Sequence, residues 1–309
     1  MKPTLTMLIG LAGSGKSTYA KKLAEETNAI ILSSDALREE LFGSADDQNH
    51  NTEVFAELHK RCKDELLKLN NIIDDATNIN QKKRIAFLKD LHGVDCYKKA
   101  IIMATPYELC VENNLKRDRR VPENVIKRMR ESFHFPLYNE GFDGIEFVWS
   151  IGNMSFDLTK LLSTTYDFDQ KNSHHTLTLG AHMQEAFNYA FFKKYTSNQP
   201  LAMAVRLHDI GKPDTQTFVD KKGNASNNAH YYDHNFVGAY NAMFYLKQSR
   251  YEPYTDGDIL HICTLIQYHM HPYLGWKDSE KAQKRDKLLL GEEWFNEVLL
   301  LHEADVAAH

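Results

Sequence analysis

The sequence predicts an α/β domain built on a parallel sheet, followed by an all-α helical bundle. Three observations point there. Short apolar runs alternate with polar helical stretches through the first half of the 309 residues, the pattern a parallel sheet with crossover helices requires. A glycine-rich segment follows directly on the first of those runs. Histidine is unevenly spread: His50, His59, His92 and His134 lie in the first half, and the other eleven of the fifteen all fall from His174 onward. The two halves are therefore expected to carry different chemistry, and the length suits two cores rather than one.

Taken in order, the expected strands are Leu5 to Ile9, Ala29 to Ser33, Asn71 to Asp75, Lys99 to Ala104 and Ile145 to Trp149. Between them lie helices such as Ser17 to Glu26 and Val54 to Lys68, the latter with Phe55, Leu58, Cys62, Leu66 and Leu67 at helical spacing. From about 150 to 173 the alternation stops and the chain reads as a connector with one short helix, Asp157 to Ser163. Beyond it the pattern is helical, with no convincing alternating strands. The boundary falls near residue 155, giving a first domain over 1–155, a linker over 156–171 and a second domain over 172–309. No internal repeat, low-complexity tract or heptad pattern is present.

Composition excludes several classes. Hydrophobic content of 42% and charged content of 26% are globular values, and no run of about 18 apolar residues could cross a bilayer. The apolar N-terminal run leads into glycines rather than a cleavage site, so it reads as a buried strand. Cys62, Cys96, Cys110 and Cys263 lack CxxC spacing, which argues for reduced thiols in cytoplasm rather than a zinc ribbon or a disulfide framework. A net charge of -5 means that any polynucleotide must be met by a local basic patch.

Gly10-Leu11-Ala12-Gly13-Ser14-Gly15-Lys16-Ser17 fits GxxxxGK[ST] between an expected strand and an expected helix. In such a P-loop, Gly10, Gly13, Ser14 and Gly15 turn backbone N–H groups onto phosphates, the helix start through Thr18 adds its positive end, and Lys16 reaches the outer phosphates. Ser17 is placed to ligate Mg2+, with ATP as the donor. The second strand ends in Ser33-Ser34-Asp35-Ala36-Leu37-Arg38, which puts a carboxylate at the sheet edge where α/β folds bind ligands. Asp35 is a candidate general base for an acceptor hydroxyl, and Arg38 a candidate contact to a substrate phosphate. The alternative for this segment is a helix N-cap with a solvated arginine. The third strand ends in Asp74-Asp75-Ala76-Thr77-Asn78-Ile79-Asn80, where one aspartate could organise the metal's water shell or position the acceptor, unless the cluster is a plain turn. Lys116-Arg117-Asp118-Arg119-Arg120-Val121-Pro122, with Lys127, Arg128 and Arg130 after it, is the local basic patch: a lid that neutralises transferring phosphate, or an ordinary solvated charge run.

The combination GxxGSGKS, SSDxxR, DxTNxN and a basic lid ending in Val-Pro resembles the 5'-hydroxyl polynucleotide kinase domain of phage and bacterial nucleic-acid end-healing enzymes. The resemblance implies a P-loop kinase fold over 1–155. It implies roles for Lys16 and Ser17 on phosphates and Mg2+, Asp35 as general base, Arg38 on the acceptor's phosphate and Asp75 in positioning. It also implies a lid arginine, for which Arg117 is preferred to Arg120. Where that family often carries a further lid arginine, this chain has Asn113.

In the second half, His182, the pair His208-Asp209 within Leu207-His208-Asp209-Ile210-Gly211-Lys212, and Asp305 stand in the order H, HD, D. Imidazoles and carboxylates from separate helices can converge on a divalent metal, which acidifies water and neutralises the phosphate under attack. Further ligands are on offer in His230-Tyr231-Tyr232-Asp233-His234 and Tyr268-His269-Met270-His271, enough for two ions. This arrangement resembles the HD phosphohydrolase superfamily, and NSHHTLTLGAH with HYYDHNFVGA is similar to the HD domain attached to some tRNA nucleotidyltransferases. The resemblance implies an HD-domain helical bundle over 172–309. Its metal ligands would be His182, His208, Asp209 and Asp305, with His234 and His269 as additions, and Lys212 would be a phosphate contact. His174, His175, His261 and His271 are expected to be ordinary packed or surface residues. The ion would be Mn2+, Ni2+, Co2+, Fe2+ or Zn2+, since these ligands suit all of them. Because the chain stops soon after Asp305, any final helix is expected to be short.

Together the resemblances imply a bifunctional end-healing enzyme. It would phosphorylate 5'-hydroxyl ends with ATP and hydrolyse 3'-phosphate or 2',3'-cyclic phosphate ends, on RNA in preference to DNA. A separate ligase would act after it, in a bacterial or phage-infected cytoplasm and away from membranes. The alternative is a nucleoside or metabolite kinase fused to an HD nucleotide phosphohydrolase. A third reading is an ATP-gated regulatory module with a degenerate second half, against which both sets of catalytic residue types are complete.

Overall fold

A computed structural model of the chain describes residues 2–47, 49–172, 176–193, 198–250 and 254–308. Ser173, His174 and His175 of the NSHHTLTLGAH segment, and the terminal His309, lie outside the described residues. The chain forms two compact units, Met1–Met129 with Pro136–Gly152, and Arg130–Phe135 with Asn153–His309.

In the first unit, β1 (Thr4–Ile9) is followed by α1 (Lys16–Thr27), β2 (Ile30–Ser33), α2 (Ser34–Phe42), α3 (Asn51–Leu67), β3 (Ile72–Asp75), α4 (Gln81–Asp90), β4 (Tyr97–Ala104), α5 (Tyr107–Leu115), α6 (Glu123–Glu131) and β5 (Gly144–Trp149). The strands form one parallel sheet in the order β2-β3-β1-β4-β5. Its central strands β3, β1 and β4 are buried along most of their length, as in a parallel sheet covered on both faces. On one face Leu8, Ile73, Ile101 and Met103 pack with Ala20 of α1. Leu37, Val54 and Leu58 of α2 and α3 form a second core cluster with Ala76. The buried Arg84 of α4 pairs with the buried Glu140 at 2.8 Å and also donates to the Asn78 carbonyl at 2.8 Å. That buried pair fixes the loop after β3, and deleting one partner would cost about 3–5 kcal/mol by stranding the other.

The second unit contains α7 (Leu158–Thr165), α8 (Leu179–Asn188), α9 (Gln199–Leu207), α10 (Lys212–Thr215), β6 (Gln216–Val219), β7 (Ala225–Tyr231), α11 (His234–Lys247), α12 (Asp256–Tyr268) and α13 (Glu280–Ala307). Its core is drawn from α8, α9, α11, α12 and α13, with residues such as Met183, Val205, Tyr240, Ile262 and Leu301 fully or almost fully buried. No helix among the described residues is long and apolar enough to cross a membrane.

Three features depart from the sequence reading. First, the second half is helical but not all-α, because β6 and β7 form an antiparallel hairpin. Along β7 only Ala229 is buried, so the hairpin lacks the apolar alternation that would announce it. Its turn is made by Asp220, whose side chain accepts from the backbone N–H groups of Lys222 and Asn224 at 2.8 Å. Second, the final helix is not short: α13 has 28 residues, kinked at Gly291, and carries Asp305 in its last turn. The ligand's support comes from the chain before it rather than after it. Third, Arg130–Phe135, which a boundary near 155 assigns to the first domain, packs within the second unit. Phe133 meets Tyr240 edge-on with centroids 5.1 Å apart, and the Phe135 N–H donates to Gln267 at 3.0 Å. Local periodicity carries no trace of contacts so distant in sequence.

Candidate active sites

The first site is assembled at the C-terminal edge of the parallel sheet. Gly13 has a φ of +82°, and a Cβ there would stand 2.1 Å from the Cys110 carbonyl oxygen, so only glycine lets the loop turn against α5. Thr105 Oγ1 donates to the Ser14 carbonyl at 3.1 Å and Asn113 Nδ2 to the Gly13 carbonyl at 3.1 Å. Asn113, the departure from the lid pattern, thus braces the loop's backbone. Gly10 donates its N–H to the Thr77 carbonyl at 3.0 Å, and Asn78 Nδ2 reaches both the Leu8 carbonyl and Asp74, each at 3.0 Å. The loop after β3 is thereby stitched to the glycine-rich loop.

Lys16 opens α1, and its Nζ donates to the carbonyls of Gly10 at 3.0 Å and Leu11 at 2.7 Å. Ser17 and Thr18 are exposed in the next two positions. Burial lowers the Lys16 pKa to about 8, against an opposing pull from Asp75. Asp75 is itself pushed up by burial, partly offset by its hydrogen bond with Ser17 and the charge of Lys16. Arg117 acts electrostatically on both Lys16 and Asp75. Lys16, Ser17, Asp75 and the Arg117 charge therefore share one region and suit a nucleoside triphosphate with Mg2+. Because Lys16 is cationic only below about 8, kcat/KM for ATP is expected to be level below that pH and to decline above it, as the free enzyme loses the charge. A pH–rate profile flat to pH 10 would contradict this.

Asp35 is the second residue of α2, next to the junction where Ser33 of β2 pairs in register with Asp75 of β3. Its two oxygens each meet a guanidinium at 2.6 Å: Oδ1 from Arg38 Nη1 and Oδ2 from Arg119 Nη1. Arg38 is buried, and its Nη2 donates to Asn51 Oδ1 at 2.8 Å. Arg119 Nε reaches Asp46 Oδ1 at 2.5 Å. Arg120, the other lid candidate, donates from Nε to the Arg117 carbonyl at 3.4 Å. Sequence reasoning singled out neither Arg119, Asn51 nor Asp46; the first is hidden in a charge run, and the other two carry no motif.

The second site lies in the helical unit. His182 of α8, His208 at the end of α9 and Asp305 of α13 form one buried cluster, and Asp209, His234 and His269 form another, with ligand atoms inside 4.8 Å in each. His208, His234 and His269 each point Nδ1 at the backbone carbonyl three residues earlier, at 2.6–2.7 Å. His182 Nδ1 faces the Ala308 carbonyl at 3.4 Å. A carbonyl can only accept, so each Nδ1 carries a hydrogen and each Nε2 faces the cluster, where its lone pair takes a proton or a metal. Those lone pairs converge: His182 Nε2 and His208 Nε2 stand 3.3 Å apart, and His234 Nε2 and His269 Nε2 stand 3.2 Å apart. Two imidazole nitrogens at that distance share either a proton, with one ring protonated, or a metal ion between them. The separations fit ligands on one ion, since bonds of about 2.1 Å put neighbouring ligand atoms roughly 3.0–3.4 Å apart.

Asp209 lies between the clusters. Its Oδ2 is 3.5 Å from His182 and 3.4 Å from His208, while its Oδ1 is 3.1 Å from His234 and 3.7 Å from His269. A carboxylate so placed offers one oxygen to each histidine pair. Burial opposes ionisation of Asp209, but Lys212, with Nζ at 2.7 Å, and His208 outweigh it and hold the carboxyl well below the usual range. Burial likewise depresses His208, yet Asp209 and Asp305 together raise it to about 10. His269 falls to about 3, through burial first and then the nearby His234 and His208. Lys212 is also fixed by Gln170 at 2.8 Å, and Asp305 accepts from the Tyr273 hydroxyl at 3.1 Å; neither Gln170 nor Tyr273 has a sequence signal.

The other described histidines of this unit lie outside the two clusters, His302 packing edge-on against Tyr273. His261 bonds Glu297 and stacks on Trp294, His271 bonds Asp286, and His230 stacks on Tyr232 outside both clusters. Gly211 explains how the HD pair meets α11: a Cβ there would lie 2.1 Å from the His234 carbonyl oxygen and 2.6 Å from the Gly238 nitrogen. Gly211→Ala is therefore expected to push α11 away at a cost of about 1–3 kcal/mol and to loosen metal at the Asp209–His234–His269 cluster. Elemental analysis of the folded variant would check this, and wild-type metal content would contradict it.

The first unit is thus a P-loop domain with the kinase fold. Residues 5–136 match a family model described as an AAA domain. An L-seryl-tRNA(Sec) kinase from Methanococcus maripaludis is 27% identical over 161 residues, covering 50% of this chain and 60% of that protein. The chain therefore spans 60% of the length of this curated relative. Among solved structures, a chain of the Pnkp1/Rnl/Hen1 RNA repair complex is 24% identical with a TM-score of 0.36, covering 41% of this chain and 42% of that one. A gluconokinase from Sinorhizobium meliloti 1021 is 15% identical with a TM-score of 0.35, covering 48% of this chain and 85% of that one.

Proposed function

We propose that this chain is a bifunctional nucleic-acid end-healing enzyme acting on RNA in preference to DNA. Its kinase domain lies within 1–155, apart from the Arg130–Phe135 segment that packs in the second unit, and is followed by a connecting segment over 156–171 and an HD phosphohydrolase domain over 172–309. The carrying observation is Asp35, held by Arg38 at the sheet edge that also carries Lys16, Ser17 and Asp75. In the kinase reaction Asp35 accepts the proton of the 5'-hydroxyl, the freed oxygen attacks the γ-phosphorus of ATP, and ADP departs. Lys16 and the lid arginines Arg117 and Arg120 neutralise the phosphates, and Arg38 orients the acceptor. The similarity to a kinase named for seryl-tRNA supports an acceptor hydroxyl carried on RNA.

For the second activity, His182, His208, Asp209, His234, His269 and Asp305 would hold one or two divalent transition metals. Metal bound there would supply Lewis acidity and an acidified water. Lys212 would orient the phosphate of a 3'-phosphate or 2',3'-cyclic end while it keeps Asp209 ionised. Products with 5'-phosphate and 3'-hydroxyl ends would suit a separate ligase. The test is incubation with ATP, Mg2+ and a 5'-hydroxyl oligoribonucleotide, followed by a scan of nucleosides and metabolites. Label on the oligonucleotide is expected. Efficient labelling of a small molecule with none on the oligonucleotide would replace this reading with a metabolite kinase joined to a nucleotide phosphohydrolase.

A further inference from the structure

A cleft of about 910 Å³ opens in the second unit, and none of the residues that line it belongs to either histidine cluster. One wall is α9, where Gln199, Ala202, Met203 and Arg206 follow at i, i+3, i+4 and i+7 and so share a helix face. Leu201, Ala204 and Val205 on the other face are buried in the core. A second wall holds Phe187 of α8 and Phe191, which stands in the π-helical turn Tyr189–Lys193 that continues α8. Such turns concentrate at functional sites. The two rings stack with centroids 5.6 Å apart, and the Arg206 guanidinium lies over Phe187 at 5.2 Å. Phe191 nevertheless stays 44% exposed. The connecting segment closes the cleft through Gln248, which accepts from the Phe156 N–H at 2.6 Å and donates to the Met154 carbonyl at 3.1 Å. Arg206 and Arg250 both line the cleft, and neither forms a hydrogen bond or ion pair with a described residue. Asp157, the one acidic residue among those lining it, is committed to capping α7, where it accepts from the Lys160 N–H at 3.0 Å.

We propose that this cleft is a further ligand site, built for a nucleoside monophosphate, with the base on Phe191 and the phosphate on Arg206. A guanidinium held against an aromatic ring and short of acceptors is a ready phosphate contact. An exposed aromatic ring is a platform on which any base can stack. The volume falls within the range of small-molecule pockets, about 300–1,000 Å³, which gives room for base, ribose and phosphate together. Ser155, Thr159 and Ser249 bring hydroxyl groups to the walls as partners for the ribose. A lipid or another uniformly apolar ligand would cover both guanidiniums without pairing them, at a cost in desolvation. The cleft is formed wholly by the second unit and the P-loop wholly by the first, so this site stands whether or not either proposed activity does.

The test uses the full chain in EDTA, so that neither a metal at the histidine clusters nor Mg2+ at the P-loop contributes. AMP and adenosine are the probes in calorimetry, and 8-azido-AMP is the photolabel. Wild type is expected to bind AMP saturably and to take the label, in competition with AMP, on a peptide containing Phe191 or Arg206. That mapping is read on wild type alone and does not depend on the folding of any variant. Arg206→Gln is expected to weaken AMP by about ten- to a hundredfold, the size of a lost charge-assisted contact, and to leave adenosine within about twofold. Phe191→Ala should weaken AMP and adenosine alike, by about five- to a hundredfold, as a stacking platform is lost. Lys16→Ala should bind AMP as wild type does. No saturable binding of AMP, label confined to the first unit, or wild-type affinity in both cleft variants would overturn the inference.

Discussion

Asp35→Ala is expected to lower 5' phosphorylation by about 10²- to 10⁴-fold, the range for removal of a positioned general base, and to leave phosphoester hydrolysis at its wild-type rate. The variant removes more than a base, because Arg38 and Arg119 both lose a carboxylate held at 2.6 Å. Arg38 is the one at risk, since it is buried and keeps only Asn51 of its described partners. Asp35→Asn separates the effects: it retains an oxygen for one arginine but cannot take a proton at neutral pH. The base reading therefore requires both variants to lose kcat while ATP affinity is kept. If Asp35→Asn retains more than about a tenth of wild-type kcat, the carboxylate is only an anchor for the arginines. The control activity is hydrolysis of a 3'-phosphorylated oligonucleotide, and equal loss of both activities would contradict independent sites.

The parts of these sites that could be read from sequence are those where chemistry restricts residue type within a short span. The P-loop is one, because Gly15, which the motif specifies just before Lys16, takes a φ of +86°, so the motif and its backbone are the same constraint. The HD pair is another, with Gly211 needed for the approach of α11. Arg119 was not legible. It lies among Arg117, Arg119 and Arg120, and only folding decides which of these reaches Asp35 and Asp46. Gln170 and Tyr273 support Lys212 and Asp305 from distant parts of the chain, and residues of those types are too common to stand out. The β6–β7 hairpin escaped for a different reason. Its strands are held by backbone pairing and polar turn contacts and bury little, so they leave no apolar period to detect. The short tail after Asp305 carries no information on the length of α13, because the helix lies almost wholly before that residue.

Asp209→Ala is expected to abolish phosphoester hydrolysis and to deplete metal at both clusters, while 5' phosphorylation continues. One residue has this reach because its Oδ2 faces His182 and His208 and its Oδ1 faces His234 and His269. His269→Ala should by contrast weaken only the Asp209–His234–His269 cluster and leave the His182–His208–Asp305 cluster its full set. The alanine variant also strips the buried Lys212 of its carboxylate at 2.7 Å, and a stranded buried charge costs about 3–5 kcal/mol. Lost activity alone could then reflect a damaged fold. Asp209→Asn keeps the volume and leaves an oxygen for Lys212, and chelated wild type keeps every side chain. All three should lack hydrolysis, and the chelated protein should recover it on adding Mn2+, Ni2+, Co2+, Fe2+ or Zn2+, in an order that ranks the metals His and Asp ligands cannot rank by type. Hydrolysis that survives both chelation and Asp209→Asn would show that the converging Nε2 lone pairs are held together by protons rather than by a metal.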